Sequence, residues 1–149
     1  MTLQELSRIH CDAFAPARGW SENEIRDLLE QDTTRLYAQP GGFAIVQTVA
    51  GEAELLTLAV APAFQRQGVA AGLMKEWLST AEPDLAFLEV AKDNAAAIAL
   101  YQQFGFHQVG ERKAYYTRAN GVSVDAMLMR LAPPHENTGV SAPNPAKTG

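Results

Sequence analysis

A strand, a short polar turn and a helix together form the most informative chemical pattern in this sequence. The turn and the first helical residues are Gln65, Arg66, Gln67, Gly68, Val69 and Ala70. A helix N-terminus offers free backbone N–H groups and the positive end of the helix dipole, which suit it to bind phosphate groups. The segment matches neither GxxxxGK[ST] nor GxGxxG, so it disfavours nucleoside triphosphates and NAD. An ordinary strand-to-helix turn explains this segment equally well when it is taken alone.

An acidic residue inside an apolar strand is the second chemical pattern. Glu89 lies between Leu88 and Val90, and strand alternation points it away from both. A carboxylate in an apolar cleft has its charged form disfavoured, which suits it to accept a proton. Taken alone, Glu89 is better explained as a surface residue of a strand edge. Asn94 and Tyr101 follow on a short predicted helix and make a reactive site the better interpretation.

The elements that position these residues are predicted from caps and periodicity. Two capping boxes, Thr2 with Glu5 and Ser21 with Glu24, predict two N-terminal helices. The β-rich runs at 35–39 and 43–49 predict a hairpin. The run at 54–60 is nearly all apolar and predicts a central strand that is buried on both faces.

The second half of the chain alternates helix and strand signals. The patterns predict a helix from Val69 to about Ala81, a strand at 85–90 and a helix at 95–104 capped by Asn94. A hairpin is expected around residues 120–121. Residues 1–131 are predicted to form one domain, and residues 132–149, with four of the chain's eight prolines, are predicted to be a disordered tail.

Composition excludes several function classes. The single cysteine allows no intramolecular disulfide and no cysteine metal cluster, and no metal site is expected. A net charge of -5 with scattered basic residues disfavours nucleic acid as a partner. No apolar run approaches the roughly 20 residues that span a bilayer, so no membrane partner is expected and a cytoplasmic location is predicted. The three histidines, His10, His107 and His135, are expected at the surface.

Residues 65–70 resemble the Q/R-x-x-G-x-G/A signature of the GCN5-related N-acetyltransferase (GNAT) superfamily. The run from Asn94 through Tyr101 to Phe106 resembles the segment that closes the cofactor site of these enzymes. The resemblance covers about residues 2–131. It is closer to the RimI-type branch, which acetylates the N-terminal alanine of a small-subunit ribosomal protein. The runs that carry this closer likeness are residues 19–22, 65–68, 88–90, 94–101 and 115–116.

The resemblance implies an α+β fold with a central mixed, mostly antiparallel sheet of about six to seven strands, flanked by about four helices. It also implies acetyl-CoA as cosubstrate. The residues that it assigns to cofactor binding are Leu58, Ala59, Val60, Arg66, Gln67, Gly68, Val69, Ala70, Ala71 and Asn94.

The same resemblance implies direct acetyl transfer, with Glu89 as general base and Tyr101 as general acid. It places Trp20, Tyr115 and Tyr116 on the acceptor side. Trp20 is equally well explained as a hydrophobic staple onto a helix, and the tyrosines as cross-strand aromatics. Two other functions stay open, namely an enzyme for a small amine or amino acid and a catalytically silent acetyl-CoA-binding regulatory module.

Overall fold

The computed structural model describes residues 1–118 and 120–131, and the predicted tail at 132–149 lies outside the described residues. The helices are α1 (Leu3–Phe14), α2 (Glu22–Leu29), α3 (Val69–Ala81) and α4 (Ala95–Gln103). The strands are β1 (Thr34–Gln39), β2 (Gly42–Val49), β3 (Glu52–Val60), β4 (Leu85–Ala91), β5 (His107–Thr117) and β6 (Ser123–Leu131).

The described strands form a six-stranded sheet in the order β1-β2-β3-β4-β6-β5. Strands β3 and β4 pair in parallel, whereas β1 with β2, β4 with β6 and β5 with β6 pair antiparallel. The expected fold class, a mixed and mostly antiparallel sheet with about six strands and four helices, is confirmed.

The chain divides into two compact units. The first contains residues 1–49 and 55–82, and the second contains residues 50–54 and the described residues from Pro83 onward. The organisation as one domain over residues 1–131 stays a prediction.

Local sequence signals fix the helices of the first unit. Both predicted capping boxes form, because Thr2 and Ser21 each accept a hydrogen bond from the third helical N–H while Glu5 and Glu24 return the bond. The apolar faces of α1 and α2 then pack on β2 and β3. The buried core cluster there contains Leu6, Ile9, Ile25, Phe43, Ile45 and Ala59.

Burial along β3 differs from the prediction. The strand alternates between buried residues, such as Leu55 and Ala59, and half-buried residues, such as Leu56 and Leu58. The expectation that both faces are buried is therefore wrong. An apolar run shows only that both faces tolerate apolar side chains, and it does not show how completely each face is covered.

Candidate active site

The turn at residues 65–70 contains two residues with left-handed backbone conformation. Arg66 has φ 64° and Gly68 has φ 82°, both in the left-handed region. A Cβ atom at Gly68 would meet no protein atom within 4 Å, so the space beside this residue is open. The first bond of α3 joins the Gly72 N–H to the Gly68 carbonyl at 2.9 Å. The N–H groups of residues 69–71 therefore precede the helical ladder and are free to point at a ligand.

Two glutamine side chains brace this turn. Gln65 Nε2 donates to the Val60 carbonyl at 3.1 Å, and Gln67 Nε2 donates to the Ala63 carbonyl at 3.1 Å. The first bond connects the turn to the end of β3, and the second connects it to the short 3-10 helix Pro62–Phe64. An open space beside a glycine, in front of unpaired helical N–H groups, fits the diphosphate of coenzyme A.

Leu58, Ala59 and Val60 form the last three residues of β3. The parallel register of β3 with β4 joins residues 52–54 to residues 85–87, so these three residues lie beyond it. Main-chain pairing with an extended ligand depends on backbone groups rather than on side chains. The apolar side chains at 58–60 are therefore compatible with main-chain pairing to an extended ligand.

Glu89 lies on β4, and its side chain is 19% exposed. Its neighbours Leu88 and Val90 are buried on the other face, as strand alternation predicts. The Arg112 Nε atom lies 3.0 Å from Glu89 Oε2, which is itself a buried atom. Arg112 is not identifiable from the sequence, because only the pairing of β4, β6 and β5 brings it to Glu89.

A surface depression of about 410 Å³ adjoins the Glu89 side chain. Glu54, Phe87, Arg112 and Leu128 contribute to its lining. Burial raises the pKa of Glu54, and the charge of Glu89 raises it further. Two carboxylates and an arginine thus share one partly desolvated face of the second unit.

Tyr101 lies on α4 and is buried. Its ring makes an edge contact with Phe106, with 6.2 Å between the ring centroids. Burial raises the pKa of Tyr101 to about 12, with a smaller contribution from Tyr116. The phenol therefore keeps its proton at neutral pH and is available as a proton donor.

Asn94 has a structural role that the sequence analysis anticipated. Its Oδ1 accepts a hydrogen bond from the Ala97 N–H at 3.2 Å and caps α4. The residue is exposed. A cofactor contact of Asn94 stays a prediction, and it would use the side-chain NH₂ group because Oδ1 serves the cap.

A bulge in β5 presents the two adjacent tyrosines. The register with β6 shifts between Arg112 and Tyr116. Tyr115 is 51% exposed, and its ring lies 4.9 Å from the Arg112 guanidinium carbon. Burial raises the pKa of Tyr116, and the Glu89 charge raises it further. Within the second unit, Arg112 therefore connects the predicted base to the predicted acceptor-side aromatics.

Trp20 and His10 form a second aromatic group in the first unit. Trp20 is half-buried and packs against the cluster that contains Ile25, as a hydrophobic staple would. His10 is only 4% exposed and stacks on Trp20 at 4.6 Å between ring centroids. The expectation of a surface position is therefore wrong for His10, because the partner that binds it to the sheet, Thr57, is 47 residues away and leaves no local pattern.

Among the residues that the structure describes, no cluster of His, Cys, Asp and Glu has the arrangement of a metal site. Within that same part of the chain, none of the helices combines the length and apolar character needed to cross a membrane.

Comparison with known proteins identifies the family. The model of the Acetyltransferase (GNAT) family matches residues 5–106. The chain belongs to the GNAT family. Like other members of this family, it is an N-acetyltransferase.

Individual relatives support the same assignment. The chain is 36% identical over 130 residues to the [Ribosomal protein bS18]-alanine N-acetyltransferase of Escherichia coli K12, covering 82% of this chain and 86% of that protein. It is 44% identical over 79 residues to the N-alpha-acetyltransferase RimI of Mycobacterium tuberculosis H37Rv, covering 53% and 48% of the two chains. The crystal structure of the E. coli ribosomal-protein-S18-alanine N-acetyltransferase superposes with a TM-score of 0.80 and 32% identity, covering 95% of this chain and 91% of that chain.

Proposed function

We propose that this enzyme transfers the acetyl group of acetyl-CoA to the α-amine of an N-terminal alanine on a small-subunit ribosomal protein. The observation that carries the proposal is the likeness to the E. coli bS18-alanine enzyme, which extends over most of both chains. Such an acceptor would be met in the cytoplasm, where ribosomal proteins are made.

The proposed cofactor site uses the turn at residues 65–70 and the end of β3. The backbone N–H groups of residues 66–71 bind the diphosphate, and residues 58–60 pair with the extended arm of the cofactor. The open space beside Gly68 and the unpaired start of α3 support this assignment. Acetyl-CoA supplies an activated thioester when it is bound.

The proposed chemistry is direct transfer without a covalent enzyme intermediate. Glu89 accepts a proton from the acceptor amine, which forms a C–N bond to the acetyl carbon. The C–S bond breaks, and Tyr101 gives its proton to the departing thiolate. The products are an acetylated amine and coenzyme A. Glu89 then releases its proton to solvent, and solvent returns a proton to Tyr101. The high pKa of Tyr101 supports its role as the donor, because the phenol is protonated before each turnover.

Acceptor chemistry favours an α-amine over a lysine side chain. An α-amine has a pKa of about 7.7–8.0, whereas a lysine amine has a pKa of about 10.4. A sizeable fraction of α-amines is thus already neutral at pH 7, whereas roughly one lysine in a thousand or fewer is. A single carboxylate base is better matched to the α-amine.

A direct assay tests the acceptor. Coenzyme A release is measured with a peptide that begins with alanine and with free alanine at equal concentrations. We expect release with the peptide and little with the free amino acid. Preference for the free amino acid would replace the peptide proposal with a small-amine enzyme. Acetyl-CoA binding without turnover on any amine would instead support the silent binding module.

A further inference from the structure

Both ring nitrogens of the buried His10 have partners. The Trp20 backbone N–H donates to His10 Nδ1 at 3.0 Å. Thr57 Oγ1, on β3, lies 3.0 Å from His10 Nε2. Because a backbone N–H only donates, Nδ1 carries no proton, and the neutral ring must donate from Nε2 to Thr57. His10 thus joins the loop before α2 to strand β3 within its own unit.

Trp20 is held at three points by α1. Its N–H bonds to His10, its carbonyl accepts from Ser7 Oγ at 2.7 Å, and its ring stacks on His10 with 14° between the planes. The preceding residue has no room to move toward α1, since a Cβ on Gly19 would lie 2.4 Å from Cys11 Cα. We call this set of contacts, made by Ser7 and His10 to Trp20, the Trp20 clamp.

A hydrophobic staple needs ring packing and no more. The Trp20 clamp also fixes both backbone groups of the residue, so it determines where the loop at 15–20 lies and how Ser21 enters α2. The other side of the loop is tied to α2, because Arg18 makes a bidentate pair with Glu24 at 2.7 and 3.0 Å. A loop held in this way is pre-organised, which lowers the ordering cost when a ligand binds to it.

We infer that His10 is a positioning residue for the acceptor: through its bond to the Trp20 N–H, it presets the loop at 15–20 for the N-terminal segment of the substrate. This inference rests on the proposed function and on the acceptor-side position that the family resemblance implies for Trp20. His10 itself touches no substrate and takes no part in proton transfer.

Two substitutions at His10 separate the bond to the loop from the bond to the core. In H10N, the Asn Oδ1 lies near the former Nδ1 and still accepts from Trp20, while the Thr57 bond is lost. In H10Q, the Gln Nε2 lies near the former Nε2 and still donates to Thr57, while the Trp20 bond is lost. Both variants lose the ring stack and one hydrogen bond, so they are matched in stability.

The readouts are the KM for an alanine peptide, the KM for acetyl-CoA and the thermal midpoint. We expect H10Q to raise the peptide KM about fivefold to tenfold, with the acetyl-CoA KM within twofold of wild type. H10N should keep both KM values within twofold of wild type, despite a similar drop in midpoint. The variant T57V is the control for the core bond, and it should lower the midpoint without changing the peptide KM.

Equal peptide KM values in H10N and H10Q would overturn the inference, and so would a rise in T57V as large as that in H10Q. Amide hydrogen exchange at Trp20 tests the clamp without turnover, and exchange should be faster in H10Q than in H10N. If wild type acetylates no peptide, the proposed function fails. Unequal exchange in the two variants would then still support the clamp, and equal exchange would reject it.

Discussion

Two aromatic regions, one in each unit, contain the residues that the family resemblance assigns to the acceptor side, and they are held by different forces. Trp20 is fixed by neutral hydrogen bonds and by stacking on a histidine that is 4% exposed. Tyr115 lies within a bulge of β5 that ends at Tyr116, and its ring lies beside Arg112, whose side chain is 53% exposed and paired with Glu89. The first region is built from buried neutral contacts, and the second from partly solvated charges.

The difference predicts different sensitivities. Salt screens exposed ion pairs strongly and buried neutral hydrogen bonds very little. Protonation of His10 would place a second proton against the Trp20 N–H, so the first region is sensitive to acid. The region at Trp20 is therefore suited to hold a fixed conformation. The strength of the contacts at Arg112, in contrast, depends on the charge of the base and of the acceptor.

The largest effect is expected at the base. Glu89→Gln keeps the shape and removes the proton acceptor, so kcat should fall at least about a hundredfold while the affinity for acetyl-CoA is nearly intact. Glu54→Gln is the matched control, since Glu54 lines the same depression, and it should retain kcat within about threefold. Wild-type turnover in Glu89→Gln would remove Glu89 from the mechanism. A larger loss of kcat in Glu54→Gln than in Glu89→Gln would indicate that Glu54 is the general base.

Loss of the acid should cost somewhat less. Tyr101→Phe keeps the ring against Phe106 and removes the proton donor, so kcat should fall about thirtyfold with little change in acetyl-CoA affinity. Because the pKa of Tyr101 is about 12, its ionisation should not reduce wild-type activity below about pH 10. Single-turnover rates report the chemical step, and an unchanged rate in Tyr101→Phe would exclude this donor.

Acid should destabilise the contacts between His10 and Trp20, because it protonates His10. Burial lowers the pKa of His10 to about 4; the Glu24 charge opposes this shift and the Arg18 charge adds to it. In the unfolded chain, His10 takes up a proton below its ordinary pKa of about 6.5, whereas in the folded chain it does so only near pH 4. The free energy of unfolding should therefore fall as the pH drops from 6.5 to 4, by about 2 kcal/mol once screening near the exposed loop is included. Denaturant titrations across this pH range should show that H10N lacks this loss. An equal fall in the free energy of unfolding of wild type and H10N would contradict the account.

The smallest effect concerns the charged region. Arg112→Met removes a half-exposed pair worth at most about 1 kcal/mol, so kcat/KM for the peptide should fall no more than about fivefold. Lys113→Met is the control, because Lys113 pairs with Glu111 and Asp125 at the surface, and it should stay within twofold of wild type. Raising the salt concentration should lower wild-type activity toward that of Arg112→Met. Equal salt sensitivity in the two proteins would separate Arg112 from the function of Glu89.

The features predicted well are those with local causes. Capping boxes four residues long fixed the starts of α1 and α2, and Asn94 marked the start of α4. The direction of Glu89 followed from strand alternation alone.

The features that were missed depend on contacts between distant residues. His10 meets Thr57 across 47 residues, and the pair of Glu89 with Arg112 requires three strands in register. The extent of β5 could not be predicted either, because the strand begins at His107 and continues through a bulge that local patterns conceal.

Calorimetric titration with acetyl-CoA tests the central claim most directly, namely that the unpaired amides at the start of α3 receive the diphosphate of the cofactor. We expect saturable uptake of one equivalent by the folded protein, strongly weakened by Gly68→Val, since valine rarely adopts a φ near the 82° seen here. Absence of any uptake by the folded wild-type protein at millimolar acetyl-CoA would contradict the account.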